Sequence, residues 1–179
     1  VKTIDKQNIS YNETEIVFIL NSYEDLFSDF DARAYIHKSL SYDFLTEIKR
    51  ASKDKNKKIQ LRFLLDAKKR NLKLEKVIEK RLIEHFYKHF NLINEERKQI
   101  ITKGIIFTAI GIIIMLLATF MFLNQKRSFL TSFIIVILEP AGWFFFWEGL
   151  NQTIFESKRR TQDYDFYKKM KESEIMFSS

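Results

Sequence analysis

Cysteine is absent from all 179 residues. Disulfides, thiol nucleophiles and thiolate-ligated zinc are therefore excluded. Glycine and proline are nearly as scarce: Gly104, Gly111, Gly142 and Gly149, with Pro140 as the single proline. All five fall in or beside two apolar stretches, where such residues mark close helix packing and kinks more often than loops. With no glycine elsewhere, the polar parts hold no glycine-rich phosphate cradle, dinucleotide fingerprint or G-x-S-x-G nucleophile elbow. No enzyme activity and no cofactor are expected. The opening VKTIDKQNIS has no apolar run, so no signal peptide is expected there.

Charged residues make up 30% of the chain, yet none lies between Gly104 and Leu123, and only Glu139 lies between Phe129 and Trp147. A helix crosses the hydrocarbon core with about 20 apolar residues. Spans are therefore predicted over 104–123 and 129–148, with Glu148 closing the second. The linker NQKRS is so short that the two must form an antiparallel hairpin, because backbone groups within a bilayer have to be satisfied inside helices.

Basic residues set the orientation. Lys88, Arg97, Lys98 and Lys103 precede the first span, and Lys158, Arg159, Arg160, Lys168, Lys169 and Lys171 follow the second. The linker holds only Lys126 and Arg127. Both termini are thus expected in the cytoplasm, with the chain multi-pass in the inner membrane. Trp143 and Trp147 lie toward the same face, with Lys103 and Glu148 as an interfacial pair. The net charge of +7 fits anionic lipid headgroups beside the spans better than nucleic acid.

The remaining segments read as one small domain. TEIVFILN (14–21) and KIQLRFLLD (58–66) are strand-like, the second alternating Ile59, Leu61, Phe63 and Leu65 on one face. SYDFLTEIKRAS (41–52) reads as a helix capped by Ser41. From residue 71 the spacing is helical through Leu74, Ile78, Leu82, Phe86, Phe90 and Ile93. Nothing breaks it before Lys103, so one helix on the order of 75 Å is predicted to run into the first span. A helix from Phe155 and a short strand in SEIMFSS complete the pattern. The expected fold class is membrane α+β. A cytosolic domain (1–100) is completed by 151–179 at the other chain end, with the hairpin (101–150) inserted between them.

Glu139 is the sharpest candidate. A carboxylate near mid-span costs several kcal/mol, and such residues face a protein interior or a water-filled path. Heptad spacing places it with Ser132, Ile135, Gly142, Phe146 and Gly149, against a first-span stripe of Gly104, Thr108, Gly111 and Ala118. No basic partner exists at its depth within its own hairpin. It is an ion or proton site between subunits, or it bonds a backbone group freed at Pro140, which cannot donate to the carbonyl four residues back.

Other clusters point to structure more than to chemistry. Glu24, Asp25, Asp29 and Asp31 offer oxygen ligands, but the glycine and closing glutamate of a calcium loop are missing. Ser22 with Asp25 reads instead as a capping box, with Arg33 as an ionic partner. His85 and His89 are four apart on the long helix, without the glutamate or third ligand of a zinc site. They are expected on a hydrated flank beside the apolar stripe.

SYEDLFSDFDARAY followed by a helix, and the strings EPAGW and WEGL, resemble a family of small, uncharacterised prokaryotic two-span membrane proteins. The resemblance runs from about Ser22 onward and implies the two-span architecture without an activity. Two functions remain in view. One is a homo-oligomeric channel or membrane-permeabilising protein with a cytosolic sensing and assembly domain. The other is a non-conducting anchor whose cytosolic domain docks a partner protein.

Overall fold

In the computed structural model, which describes residues 14–55, 58–124 and 128–179, three strands form one parallel sheet. They are β1 (Glu15–Ile19), β2 (Gln60–Leu64) and β3 (Glu174–Ser178), in the order β1-β2-β3. The helices are α1 (Tyr42–Ala51), α2 (Leu72–Asn124), α3 (Phe129–Leu150), α4 (Ser157–Arg159) and α5 (Thr161–Lys171). A 3-10 turn covers Tyr23–Leu26, and a π-helical segment, Asn151–Glu156, joins α3 to α4. The linker residues Lys126 and Arg127, used above for orientation, lie outside the described residues.

The chain divides into two units, Val1–Phe90 with Asp165–Ser179, and Asn91–Tyr164. The first holds the sheet. Parallel registry aligns Ile16 with Leu61 and Phe18 with Phe63 on one side, and Leu61 with Ile175 and Phe63 with Phe177 on the other. Because strand side chains alternate, all of these point to one face. That face meets Phe44 and Ile48 of α1, Ile78, Leu82 and Phe86 of α2, and Phe166 and Met170 of α5 in one buried core. Phe63 sits at its centre, with ring centroids 5.9 Å from Phe18, 5.9 Å from Phe44 and 5.2 Å from Phe177.

The opposite face carries Val17, Ile19, Leu64 and Met176 among Glu15, Arg62 and Glu174. Glu15 is buried there, and Val17, Arg62 and Leu64 are half-buried. Ile19 and Met176 are exposed there, and ion pairs Arg62–Glu15 and Lys58–Glu174 cross the strands.

A buried polar knot ties the start of α2 to this sheet. Asn71 caps the helix, its Oδ1 accepting from the amides of Lys73 and Leu74. Glu75 accepts from Tyr23 Oη at 2.9 Å and from Arg70 Nε and Nη2 at 3.0 Å each. Arg70 also donates to the Phe177 carbonyl, and the Asn71 amide donates to Tyr23 Oη. The Arg70 guanidinium holds the Glu75 carboxyl below its ordinary value, against the opposing effect of burial. With every partner satisfied, the knot fixes the entry of α2 at no unpaired polar cost.

Candidate functional site

The second unit is built on α3 and the C-terminal half of α2. Of the most apolar 18-residue stretch in each helix, 11% is buried. Core helices of a soluble protein would be mostly covered, so these two are long and apolar enough to cross a membrane and keep their apolar surface outward.

Glycine sets their approach. A Cβ added at Gly111 would lie 2.5 Å from the Phe146 amide nitrogen and 2.8 Å from the Gly142 carbonyl oxygen. One added at Gly149 would run into Thr108 and would lie 2.5 Å from the Gly104 carbonyl, while one at Gly104 would meet Thr153 and the Gly149 carbonyl. Pairing of 104 with 149 and of 111 with 142 makes the helices antiparallel, with Ala118 and Ile135 buried further along. The contact has internal pseudo-symmetry. Thr108 Oγ1 donates to the Gly104 carbonyl and Thr153 Oγ1 to the Gly149 carbonyl, each at 2.9 Å. Each threonine thus satisfies itself on its own helix while its partner glycine leaves room for it. Small residues at this spacing let backbones come together where lipid gives no hydrophobic drive.

Glu139 lies elsewhere. The buried positions of α3 are Ile135, Gly142 and Gly149, and both Glu139 and Pro140 are exposed. No hydrogen bond or ion pair to Glu139 is found among the described residues, so the backbone bond considered near Pro140 is not made. Helix α3 continues past Pro140 to Leu150.

At the far end of α3 the expected Glu148–Lys103 pair is replaced by a local bond. Gln152 Nε2 donates to Glu148 Oε1 at 2.8 Å, and Glu148 makes no salt bridge among the described residues. Side chains bond back onto this stretch repeatedly, with Ser157 Oγ donating to the Thr153 carbonyl and Thr161 Oγ1 to the Ser157 carbonyl. Such bonds compete with the helical ladder, and here the backbone widens into the π-helical segment Asn151–Glu156. Beside it, Phe144, Trp147, Glu148, Asn151 and Phe155 line an open groove of about 290 Å³. Trp143 stacks on Trp147 at 6.3 Å. This groove had no signal in the sequence beyond Glu148, because a π-helical segment has no residue pattern of its own.

In the first unit the acidic loop is closed on itself. Ser22 and Asp25 form a capping box on the 3-10 turn. Asp31 accepts from Arg33 and from the Ser39 amide, and these bonds hold its carboxyl far below the usual range. Glu24 pairs with Lys38 and accepts from Tyr35 Oη at 2.5 Å, which pushes the Tyr35 phenol up to about 12. Asp29 is exposed. Among the described residues no cluster of three or more potential ligands could hold a metal ion.

His85 departs from the hydrated flank expected of it: it is 8% exposed. Its ring lies 4.0 Å from that of His89, which stacks on Tyr167 at 5.3 Å. Helix α5 brings Tyr167 over this flank, a tertiary event that spacing along α2 alone does not reveal. Burial, then the neighbouring His89, Arg81 and Lys88 charges, pushes His85 down to about 3.

The chain matches no protein-family model, no curated protein and no solved structure. What defines its class is therefore its own architecture: two helices of membrane-spanning length and composition, and a small α/β unit.

Proposed function

We propose that the chain is a homo-oligomeric integral membrane protein whose hairpins assemble around an ion-conducting path, with Glu139 facing it. The carrying observation is the exposure of Glu139 at the edge of the α3 contact face, halfway along an apolar helix and without a partner among the described residues. Facing lipid, such a carboxylate is costly; facing water or another copy between several hairpins, it is not. The glycine contacts make the hairpin a tight unit that leaves Glu139 uncovered, and a neighbouring copy with a hydrated path between the hairpins would shelter it. In this reading both termini are cytoplasmic, the hairpin is inserted into a sheet domain drawn from both chain ends, and that domain sets subunit number or senses the gating signal.

The test is the mass of the detergent-solubilised particle together with ion flux into liposomes, for the native chain and for Glu139→Gln. A multimeric particle, flux above empty liposomes and an altered pH dependence in Glu139→Gln are expected. A particle holding one chain, or flux no higher than empty liposomes, refutes the channel.

A second reading, a non-conducting anchor that docks a protein partner, is favoured by the first unit. Phe30 stands fully exposed at the tip of a loop closed by the Phe27–Leu40 bridge, and the second sheet face exposes Ile19 and Met176. A monomeric, non-conducting particle that loses a co-purifying protein upon Phe30→Ser would support this reading instead.

A further inference from the structure

We infer that the groove at the end of α3 is a binding site for a lipid with a primary-amine headgroup, of the phosphatidylethanolamine type. Glu148 is half-buried and makes no salt bridge among the described residues, with one oxygen engaged by Gln152. A carboxylate has about four acceptor positions, so most of its capacity faces the groove. Phe144, Trp147 and Phe155 wall that groove while remaining exposed to the surroundings. A carboxylate among aromatic faces is complementary to an ammonium group, which the carboxylate draws by charge and the rings by their quadrupole.

The placement suits a lipid. Glu148 closes an apolar run that starts at Phe129, about 20 residues and so about one hydrocarbon thickness away. Trp147 sits beside it, as aromatic residues do at headgroup depth. Asn151 follows three residues on, a rise of about 4.5 Å along the helix, and its amide can donate to the phosphate next to the ethanolamine. The wider π-helical segment opens the helix surface here, a feature often found at functional sites. Acyl chains then run back along the exposed side of α3, over Phe144 and its apolar neighbours. An anionic headgroup without an amine, by contrast, would meet Glu148 with like charge.

The site rests on membrane insertion but not on conduction, and resistance of the full chain to alkaline extraction tests insertion separately. The binding experiment reconstitutes the full chain in vesicles of equal phosphatidylethanolamine and phosphatidylglycerol. It is then solubilised gently, and retained lipid is counted by native mass spectrometry. Phosphatidylethanolamine is expected in excess over phosphatidylglycerol, and Glu148→Gln should cut that excess by about tenfold, the loss of one charge-assisted bond. Trp147→Leu should weaken it while leaving the chain's charge unchanged. No excess in the native chain, or an undiminished excess in Glu148→Gln, overturns the assignment. If Glu148→Gln fails to purify, an undiminished excess in both Trp147→Leu and Asn151→Leu does the same. In a second set of vesicles, of equal phosphatidylethanolamine and phosphatidylcholine, phosphatidylcholine retained as well as phosphatidylethanolamine overturns the primary-amine specificity.

Discussion

Gly111 and Gly142 face each other across the helix contact, yet alanine at the two positions should have unequal effects. At Gly111 the added methyl would meet backbone, 2.5 Å from the Phe146 nitrogen and 2.8 Å from the Gly142 oxygen. Neither atom can rotate away, so the helices must separate by about 1 Å, a gap that forfeits a quarter to a half of each contact along the seam. Overpacking of this kind costs about 1–3 kcal/mol. The gain in helix propensity returns about 1 kcal/mol, leaving a net loss of up to about 2 kcal/mol. At Gly142 the nearest atom is Met115 Cγ at 2.7 Å, on a flexible side chain, and the next two lie at 3.3 Å. Methionine can swing aside, and the propensity gain offsets most of that cost, so the net change should stay within about 0.5 kcal/mol. The assay is dodecyl sulfate titration of the full chain in mixed micelles, followed by intrinsic fluorescence. Both tryptophans, Trp143 and Trp147, lie on α3, so the signal reports the hairpin. Equal losses at the two positions, or a larger loss for Gly142→Ala, would refute the assignment of the contact to backbone.

Other expectations concern the sheet unit. Tyr23→Phe removes the hydroxyl that donates to Glu75 and accepts from Asn71, and should cost about 1–2 kcal/mol in urea unfolding of the full chain followed by circular dichroism. Glu75 has its pKa depressed from 4.5 by Arg70. Its contribution is therefore complete above pH 4.5 and lost as the pH falls through the depressed value; Glu75→Gln should flatten that part of the acid-unfolding profile. His85 carries the opposite charge logic, a base held neutral at about 3 against an ordinary 6.5. The unfolded chain binds more protons between those values, so stability should fall steadily from pH 6.5 toward 3. His85→Phe should be less pH-dependent over pH 4 to 6.5, and an unchanged slope would show that His85 titrates normally. Phe63→Ala, at the centre of the core, should cost about 3–5 kcal/mol by the same urea titration.

Some of this architecture was legible from local pattern. The alternation Ile59, Leu61, Phe63, Leu65 marks a strand because strand side chains repeat every two residues, and β2 occupies the middle of that run, Gln60–Leu64. Uninterrupted helical spacing from Leu74 and the lack of glycine or proline before Lys103 correspond to α2, a single 53-residue helix. Ser22 and Asp25 are three apart, and the capping box they make is equally local. Charge-free runs of about 20 residues mark span-length helices whatever surrounds them.

Other features depend on which elements meet. His85 was assigned to a hydrated flank because only its own helix was in view, and α5 covers it from some eighty residues further along the chain. The knot of Tyr23, Arg70 and Glu75 joins residues 52 apart in sequence, a separation that no local motif encodes. The two candidates of the second unit divide in the same way. Sequence by itself determined that Glu139 is a lone carboxylate near the middle of an apolar helix, since composition alone sets that. Only the tertiary structure decided that it is left uncovered: Ile135, Gly142 and Gly149 are the buried positions of α3, and Glu139, four past one and three before another, flanks their face yet stays exposed because α2 does not reach over it.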